Sequence, residues 1–297
     1  MIEIARCPAC DGTERAVVYP ATPSLSNAAA LRDPYAAHYQ INRCAGCGLL
    51  RSSPIFEPDS VGRLYRDASE ANTSDPEVDN VRRTMAGYYR LMRGHLPGRQ
   101  RVLDIGCDRG LLLQAARADG FRDVCGIEPN PLARAEAEAV LKVPIADGFY
   151  EQAEYPPSHF DAITLIHVLD HVIDPAMVLR RARDHVRPAG IVLAIVHNAD
   201  SWLARILGER FPAFNLYHHY FFTMTTLRRL FEGVGYEALH VGPTKNCYSL
   251  SFLVGKVPGV PAAATRWTSR ALAACRLGAL PITVGLGNIG IVARKPA

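Results

Sequence analysis

Residues 102–113, Val-Leu-Asp-Ile-Gly-Cys-Asp-Arg-Gly-Leu-Leu-Leu, constrain the fold of this chain more than any other stretch. They read as a short apolar strand ending at Ile105, a turn carrying Gly106 and Gly110, and the start of an amphipathic helix. Such a turn presents backbone N–H groups beside a helix N-terminus, and glycine lets a ligand come close to the main chain. In an open α/β sheet, the crevice beyond the carboxyl end of the first strand takes a nucleotide-like ligand. The plain alternative is a strand–turn–helix that binds nothing, and the downstream chain decides between them.

Downstream, strand and helix patterns alternate. Arg101–Ile105, Asp123–Glu128, Val143–Ala146, Phe160–Val168 and Gly190–His197 read as strands, with helices after the first (through Asp119), at Leu132–Leu141 and from Asp174-Pro175 onward. Thr223–Gly235 reads as a helix, Glu237–Val241 and Ser249–Val254 as strands, Ala262–Cys275 as a helix and Ile289–Arg294 as a last strand. The continuous apolar run at Phe160–Val168 is that of a buried parallel strand. Such alternation predicts a doubly wound, mostly parallel α/β sheet with helices on both faces. Glu128 closes the second strand about twenty residues beyond the glycine turn, where an acid can accept hydrogen bonds from both ribose hydroxyls. That spacing suits a dinucleotide as well.

Before this region lie Cys7-x-x-Cys10 and Cys44-x-x-Cys47, with Gly12 and Gly48 within two residues of the second cysteine of each. In a reducing compartment two such knuckles hold one tetrahedral zinc through Cys7, Cys10, Cys44 and Cys47. Residues 1–55 carry few large apolar side chains, and a metal supplies what their core lacks. A short strand is expected at His38–Arg43. Cys107, Cys125, Cys247 and Cys275 stand singly in apolar surroundings and read as small core residues. In 56–97, Asp75-Pro76-Glu77 opens a helix whose Val78, Val81, Met85, Tyr88, Met92 and Leu96 recur at intervals of three and four.

Asp104, Gly106 and Gly110 match the D-x-G-x-G-x-G loop of class I S-adenosylmethionine-dependent methyltransferases, which this stretch closely resembles, although Asp108 stands where that family has its middle glycine. Asp147-Gly148 resembles the position that contacts the adenine amino group. The run His167-Val168-Leu169-Asp170-His171-Val172-Ile173-Asp174-Pro175 resembles the strand-four signature, and His218-His219-Tyr220-Phe221-Phe222-Thr223 the H-x-x-x-F-[ST] stretch. The resemblance covers about residues 98–295. It implies a seven-stranded sheet and a cofactor site of Asp104, Gly106, Cys107, Gly110, Glu128, Pro129, Asp147, Gly148 and His167. The paired knuckles resemble a bacterial subgroup with an N-terminal zinc ribbon, some of whose members methylate sugars or other small metabolites. The chain thus divides into a zinc-ribbon-like module at 1–55, a helical linker or lid at 56–97 and an S-adenosylmethionine-binding domain at 98–297.

The expected activity is methyl transfer from S-adenosylmethionine to a hydroxyl or carbon of a small acceptor, with a structural zinc. A histidine serves as general base, His167 and His218 leading and His171 behind them, because an imidazole titrates in the needed range. His171 can instead order its own loop, and His185 and His197 read as structural or exposed. The aromatic group Trp202, Phe211, Phe214, Tyr217, Tyr220, Phe221 and Phe222 can line an acceptor pocket or pack a sheet edge. Two rivals remain: a transferase acting on RNA or protein through the zinc module, and a non-catalytic binding protein, for which Asp108 argues. Against the first, the net charge is only +4, and Arg6, Arg15 and Arg43 are interleaved with Glu3, Asp11 and Glu14. No apolar run reaches membrane-spanning length and the N-terminus lacks a signal-peptide core, so a cytoplasmic protein is expected and a homodimer stays open.

Overall fold

The computed structural model describes residues 1–22, 35, 37–57, 77–255, 268, 271–272 and 274–297. Three short strands come first: β1 (Arg15–Tyr19), β2 (Ile41–Cys44) and β3 (Leu50–Ser52). Helix α1 (Val78–Arg93) leads to β4 (Arg101–Ile105), α2 (Leu111–Ala118), β5 (Asp123–Glu128), α3 (Pro131–Leu141) and β6 (Ala146–Asp147). Then follow β7 (Phe160–Ile166), α4 (Pro175–His185), β8 (Val186–His197), α5 (Trp202–Leu207) and β9 (Tyr220–Phe221). The chain continues through α6 (Met224–Gly233), β10 (Glu237–Ser249), α7 (Leu250–Gly255) and β11 (Pro281–Arg294).

Seven of these strands form one sheet in the order β10-β11-β8-β7-β4-β5-β6. The ladders from β8 to β6 are parallel, and β11 pairs antiparallel with both β8 and β10. This is the doubly wound, mostly parallel sheet expected. All seven residues of β7 are buried, which is why Phe-Asp-Ala-Ile-Thr-Leu-Ile reads as an apolar run rather than an alternation. Helix starts follow local chemistry: Asn130 Oδ1 accepts from the Leu132 and Ala133 amides ahead of α3, and Asp174 from the Met177 amide ahead of α4, each with proline next in the chain.

Several elements differ from expectation. The third strand is Ala146–Asp147 rather than Val143–Ala146: Pro144 has no amide to give a ladder, and the Ile145 amide donates to Glu138 instead. Strand β8 starts at Val186, before Gly190, across a register shift opposite Phe160–Ala162. Ser249 ends a far longer β10, and Leu250–Gly255 is a helix, begun by a Phe252 amide bond to Ser249 Oγ. A short apolar run cannot distinguish the two. Most of the expected 262–275 helix, and Asp75-Pro76 before α1, lie outside the described residues. Cys107 and Cys247 are buried as expected, whereas Cys125 is half-buried and Cys275 exposed on a turn.

The N-terminal strands do not stand apart. β9, from the far end of the chain, pairs antiparallel with β3 and completes a four-stranded sheet, β1-β2-β3-β9. Ile4, Tyr39, Leu49 and Ile55 join the same apolar core as Ile163 and Leu165 of β7, Leu179 of α4 and Phe222. Each such fully buried side chain contributes roughly 1.5–3 kcal/mol. Helix α1 packs Tyr88, Tyr89 and Met92 onto a second core under α2. Met85 also packs against that core, and Val81 and Met85 line a cavity at the carboxyl edge of the sheet.

Candidate active site

That cavity, about 1860 Å³, lies where the strand order reverses between β4 and β7. On its donor side, Gly106 and Gly110 adopt φ of +67° and +71°. A Cβ on Gly110 would sit 2.7 Å from Leu141 Cδ1, so glycine there lets α2 close on α3. Asp108 also has positive φ, +45°, which explains both the family's glycine at this place and the tolerance of an aspartate. Glu128 accepts from the Asp108 amide at Oε2 (2.9 Å) and the Asn130 amide at Oε1 (2.8 Å), and each oxygen keeps a lone pair for a hydroxyl donor.

Asp104 is buried at the end of β4 and takes a 2.5 Å hydrogen bond from Thr164 Oγ1. Burial, reinforced by the charges of Glu128 and Asp108, pushes its carboxyl up to about 8 despite that bond. Burial raises Glu128 and Asp108 as well. Three crowded carboxylates favour a cationic ligand. Cys107, Pro129 and Gly148 line the cavity too. Asp147 does not; its exposed carboxylate pairs with Arg134.

Opposite this loop, at the ends of β7 and β8, four histidines surround Asp170. His197 Nδ1 donates to Asp170 Oδ2 at 2.7 Å, and His167 Nδ1, His171 Nε2 and His218 Nε2 stand 3.9, 3.8 and 4.0 Å from its oxygens. His167 follows β7 with a φ of +54°, a strained position for a histidine, and its side chain faces the cavity. Asn288 Nδ2 donates to His167 Nε2 at 3.4 Å. Burial would raise the Asp170 carboxyl, but His171, His167 and His197 outweigh it and hold it well below the usual range. Burial also lowers His167, His218 and His171, the last to about 4, so these rings are neutral near pH 7. The backbone fixes the cluster, since the Asp170 carbonyl accepts from the amides of His219 and Tyr220.

The four knuckle cysteines converge as their spacing predicts. Cys7 and Cys47, and Cys10 and Cys44, have sulfurs 3.5 Å apart, near the roughly 3.8 Å edge of a tetrahedral thiolate–zinc site. A Cβ on Gly12 would come within 3.3 Å of Cys10 Sγ, so glycine lets the turn close over the sulfurs. Burial raises the Cys44 thiol, but amides of Cys47 and Gly46 overcome it and bring it down to about 7.

Of the sequence-derived candidates, His167, His171 and His218 share one cluster facing the glycine loop. His197, read as structural or exposed, makes the shortest contact to Asp170 and so belongs to the same cluster. It ends the strand beside β7, so its place at the same sheet edge was readable from the parallel order. Asp170 was readable too, next to His171 and three residues after His167, whereas Asn288 comes from β11 with no local signal. The aromatic group splits: Trp202, Phe211 and Tyr217 line the cavity, while Tyr220, Phe221 and Phe222 are core. None of the helices described is long and apolar enough to cross a membrane.

The family model described as a methyltransferase domain matches residues 78–241. The ubiquinone biosynthesis O-methyltransferase of Yersinia pestis (strain Pestoides F) is 34% identical over 119 residues, 38% of this chain and 49% of that protein. The chain thus spans about half the length of the curated relatives it matches. Among solved structures, an S-adenosylmethionine-dependent methyltransferase of Leishmania major superposes with a TM-score of 0.53 at 16% identity, covering 80% of this chain and 85% of that one. One from Archaeoglobus fulgidus gives 0.50 at 19% identity, covering 72% and 94%. At these identities the likeness is one of fold.

Proposed function

The chain belongs to the class I S-adenosylmethionine-dependent methyltransferases, and on that premise we propose that it methylates a hydroxyl of a small acceptor. One observation carries this reading: the Asp104–Gly110 loop with Glu128, and the Asp170–histidine cluster, open into one cavity across the switch point. Bound against the loop, S-adenosylmethionine supplies a methyl group made electrophilic by its sulfonium. Glu128 holds the ribose hydroxyls, Asp104 and Asp108 favour the ligand's positive charge, and Cys107, Pro129 and Gly148 complete that wall. Asp147 contributes only by placing Gly148.

Neutral His167 takes the acceptor proton, and ionised Asp170 stabilises the imidazolium that forms. His218 and His171, deeper in the cluster, are the alternative bases. The four knuckle cysteines hold a structural zinc, closed to substrate because all four positions are thiolates. An O-methyltransferase among the relatives supports a hydroxyl acceptor; the mild charge argues against RNA.

The test compares His167→Ala and His218→Ala with the parent chain on labelled donor and pools of hydroxylated metabolites. Loss of turnover with unchanged S-adenosylmethionine affinity by calorimetry supports the assignment. Parent-like turnover in both variants removes the base from these two residues.

A further inference from the structure

We propose that Asp170, His171 and His218 form a binding site for a divalent transition-metal cation that opens into the cavity and receives the acceptor hydroxyl. The argument starts from tautomers. His171 Nδ1 lies 3.1 Å from the Tyr217 carbonyl and His218 Nδ1 2.6 Å from the Ala213 carbonyl. A carbonyl only accepts, so both Nδ1 atoms carry the proton and both Nε2 atoms present lone pairs. Metal-binding histidines are commonly held in this way, with the second ring nitrogen donating to a backbone carbonyl.

Both Nε2 atoms lie beside the same carboxylate. His171 Nε2 is 3.8 Å from Asp170 Oδ1 and His218 Nε2 4.0 Å from Oδ2, too far for an N–H to bridge by a hydrogen bond. Asp170 is fully buried, and its Oδ1 has no hydrogen-bond partner among the described residues. His197 holds the other oxygen at 2.7 Å, as an outer-shell donor orients a ligating carboxylate. One ligand atom from each of Asp170, His171 and His218 lies within 4.8 Å of the others. Ligands about 2.1 Å from a shared ion sit roughly 3–3.5 Å apart, so small side-chain rotations close the site.

Two imidazoles and one carboxylate leave coordination positions open and suit iron(II), manganese(II), cobalt(II) or zinc rather than magnesium. His171 and His218 both line the cavity, so those positions face the acceptor space. This deepens the proposed methyl transfer and rests on it. The acceptor oxygen binds the cation, which acidifies its O–H, and the proton passes to His167 and then to water. An oxygen lone pair forms the new O–CH3 bond while the S–CH3 bond breaks and its electron pair returns to sulfur. The cation changes neither charge nor oxidation state.

The test loads reduced, full-length protein with cobalt(II) and counts metal by elemental analysis. The cysteine cluster gives thiolate charge-transfer bands, whereas the new site adds weak visible bands without them. About two metals per parent chain are expected. His171→Gln and His218→Gln should each lose the weak bands and about one metal, keep the thiolate bands, and bind S-adenosylmethionine as before. A parent chain that takes no cobalt beyond the cysteine cluster overturns the proposal whether or not the variants fold. So do variants that keep the weak bands. If the second metal is absent yet methyl transfer proceeds, the site fails and the methyltransferase reading stands. If the metal binds but no hydroxylated pool accepts methyl, the site stands and the hydroxyl assignment falls.

Discussion

Asp104 and Glu128 do different work on the same ligand, and substitutions separate them. Glu128 accepts two amide bonds within the protein and has lone pairs left for ribose. Removing a doubly hydrogen-bonded carboxylate costs about 1.5–3 kcal/mol, so Glu128→Ala should weaken S-adenosylmethionine about ten- to hundredfold by calorimetry. Asp104 instead carries a pH dependence. Its carboxyl titrates near 8 in the folded chain, against about 4 when unfolded. The folded form therefore holds a proton that the unfolded form has released between those values, and the ligand-free protein should lose stability as pH rises through that window. A cationic ligand favours the ionised form, so binding should expel a proton and tighten toward pH 8. Melting curves from pH 5 to 9, with and without S-adenosylmethionine, read both effects. Asp104→Asn should flatten them, and an unchanged pH profile in that variant rules out Asp104 as the linked group. The glycine loop, its acid and the knuckles were legible because each is local chemistry at fixed spacing. Asn288 was not, since only the fold of β11 brings it to His167.

Among the elements, β3 couples the cysteine module to the histidines. The Ser52 amide donates to the His219 carbonyl at 2.8 Å and Ser52 Oγ to the His218 carbonyl at 3.1 Å, while β3 pairs with β9 just beyond. Each strand was too short to announce itself, and their pairing spans most of the chain, so sequence periodicity carried no sign of it. Arg51 of β3 is fully buried, with Nη2 on the Ala5 carbonyl and Nε and Nη1 without hydrogen-bond partners among the described residues. A zinc held there by four thiolates would be net negative, and a buried guanidinium in the same module would offset that charge. Opening the metal site should therefore reach the cluster through β3. In Cys44→Ser, hydrogen exchange at residues 219–222 should speed up along with residues 1–55, and turnover should fall while S-adenosylmethionine affinity changes less than about twofold. Loosening confined to residues 1–55 shows that β9 holds without its neighbour. Arg51→Met should shed metal faster than the parent under a chelator, and equal retention removes the charge argument.

At the scale of the molecule, the alternation of strands and helices was enough to read the mostly parallel sheet and a ligand crevice at the carboxyl end of its first strand, but not the strand order. Strands at Glu237–Val241 and Ile289–Arg294 were readable, but the full length of β10 and β11 and the helix α7 were not, because their apolar runs suit either conformation. That region lines part of the cavity. At about 1860 Å³ the cavity exceeds the roughly 300–1,000 Å³ usual for one small ligand, so it has room for a cofactor and a sizeable acceptor together. Beyond the histidines its wall is apolar, with Trp202, Leu203 and Ile206 from α5 and Phe252 and Leu253 from α7. Trp202 and Ile206 are 56% and 72% exposed, more than packing alone favours, and an acceptor with an apolar body would cover them. Removing the Trp202 ring should then weaken acceptor binding by about 1.5–3 kcal/mol, roughly ten- to hundredfold in KM, with kcat and cofactor affinity held. Raising the salt should leave that KM nearly unchanged, because the contact is apolar, whereas an RNA acceptor would lose affinity steeply. A Trp202→Ala enzyme with parent KM places the acceptor elsewhere in the cavity, and a steep salt dependence returns the choice to a polyanion.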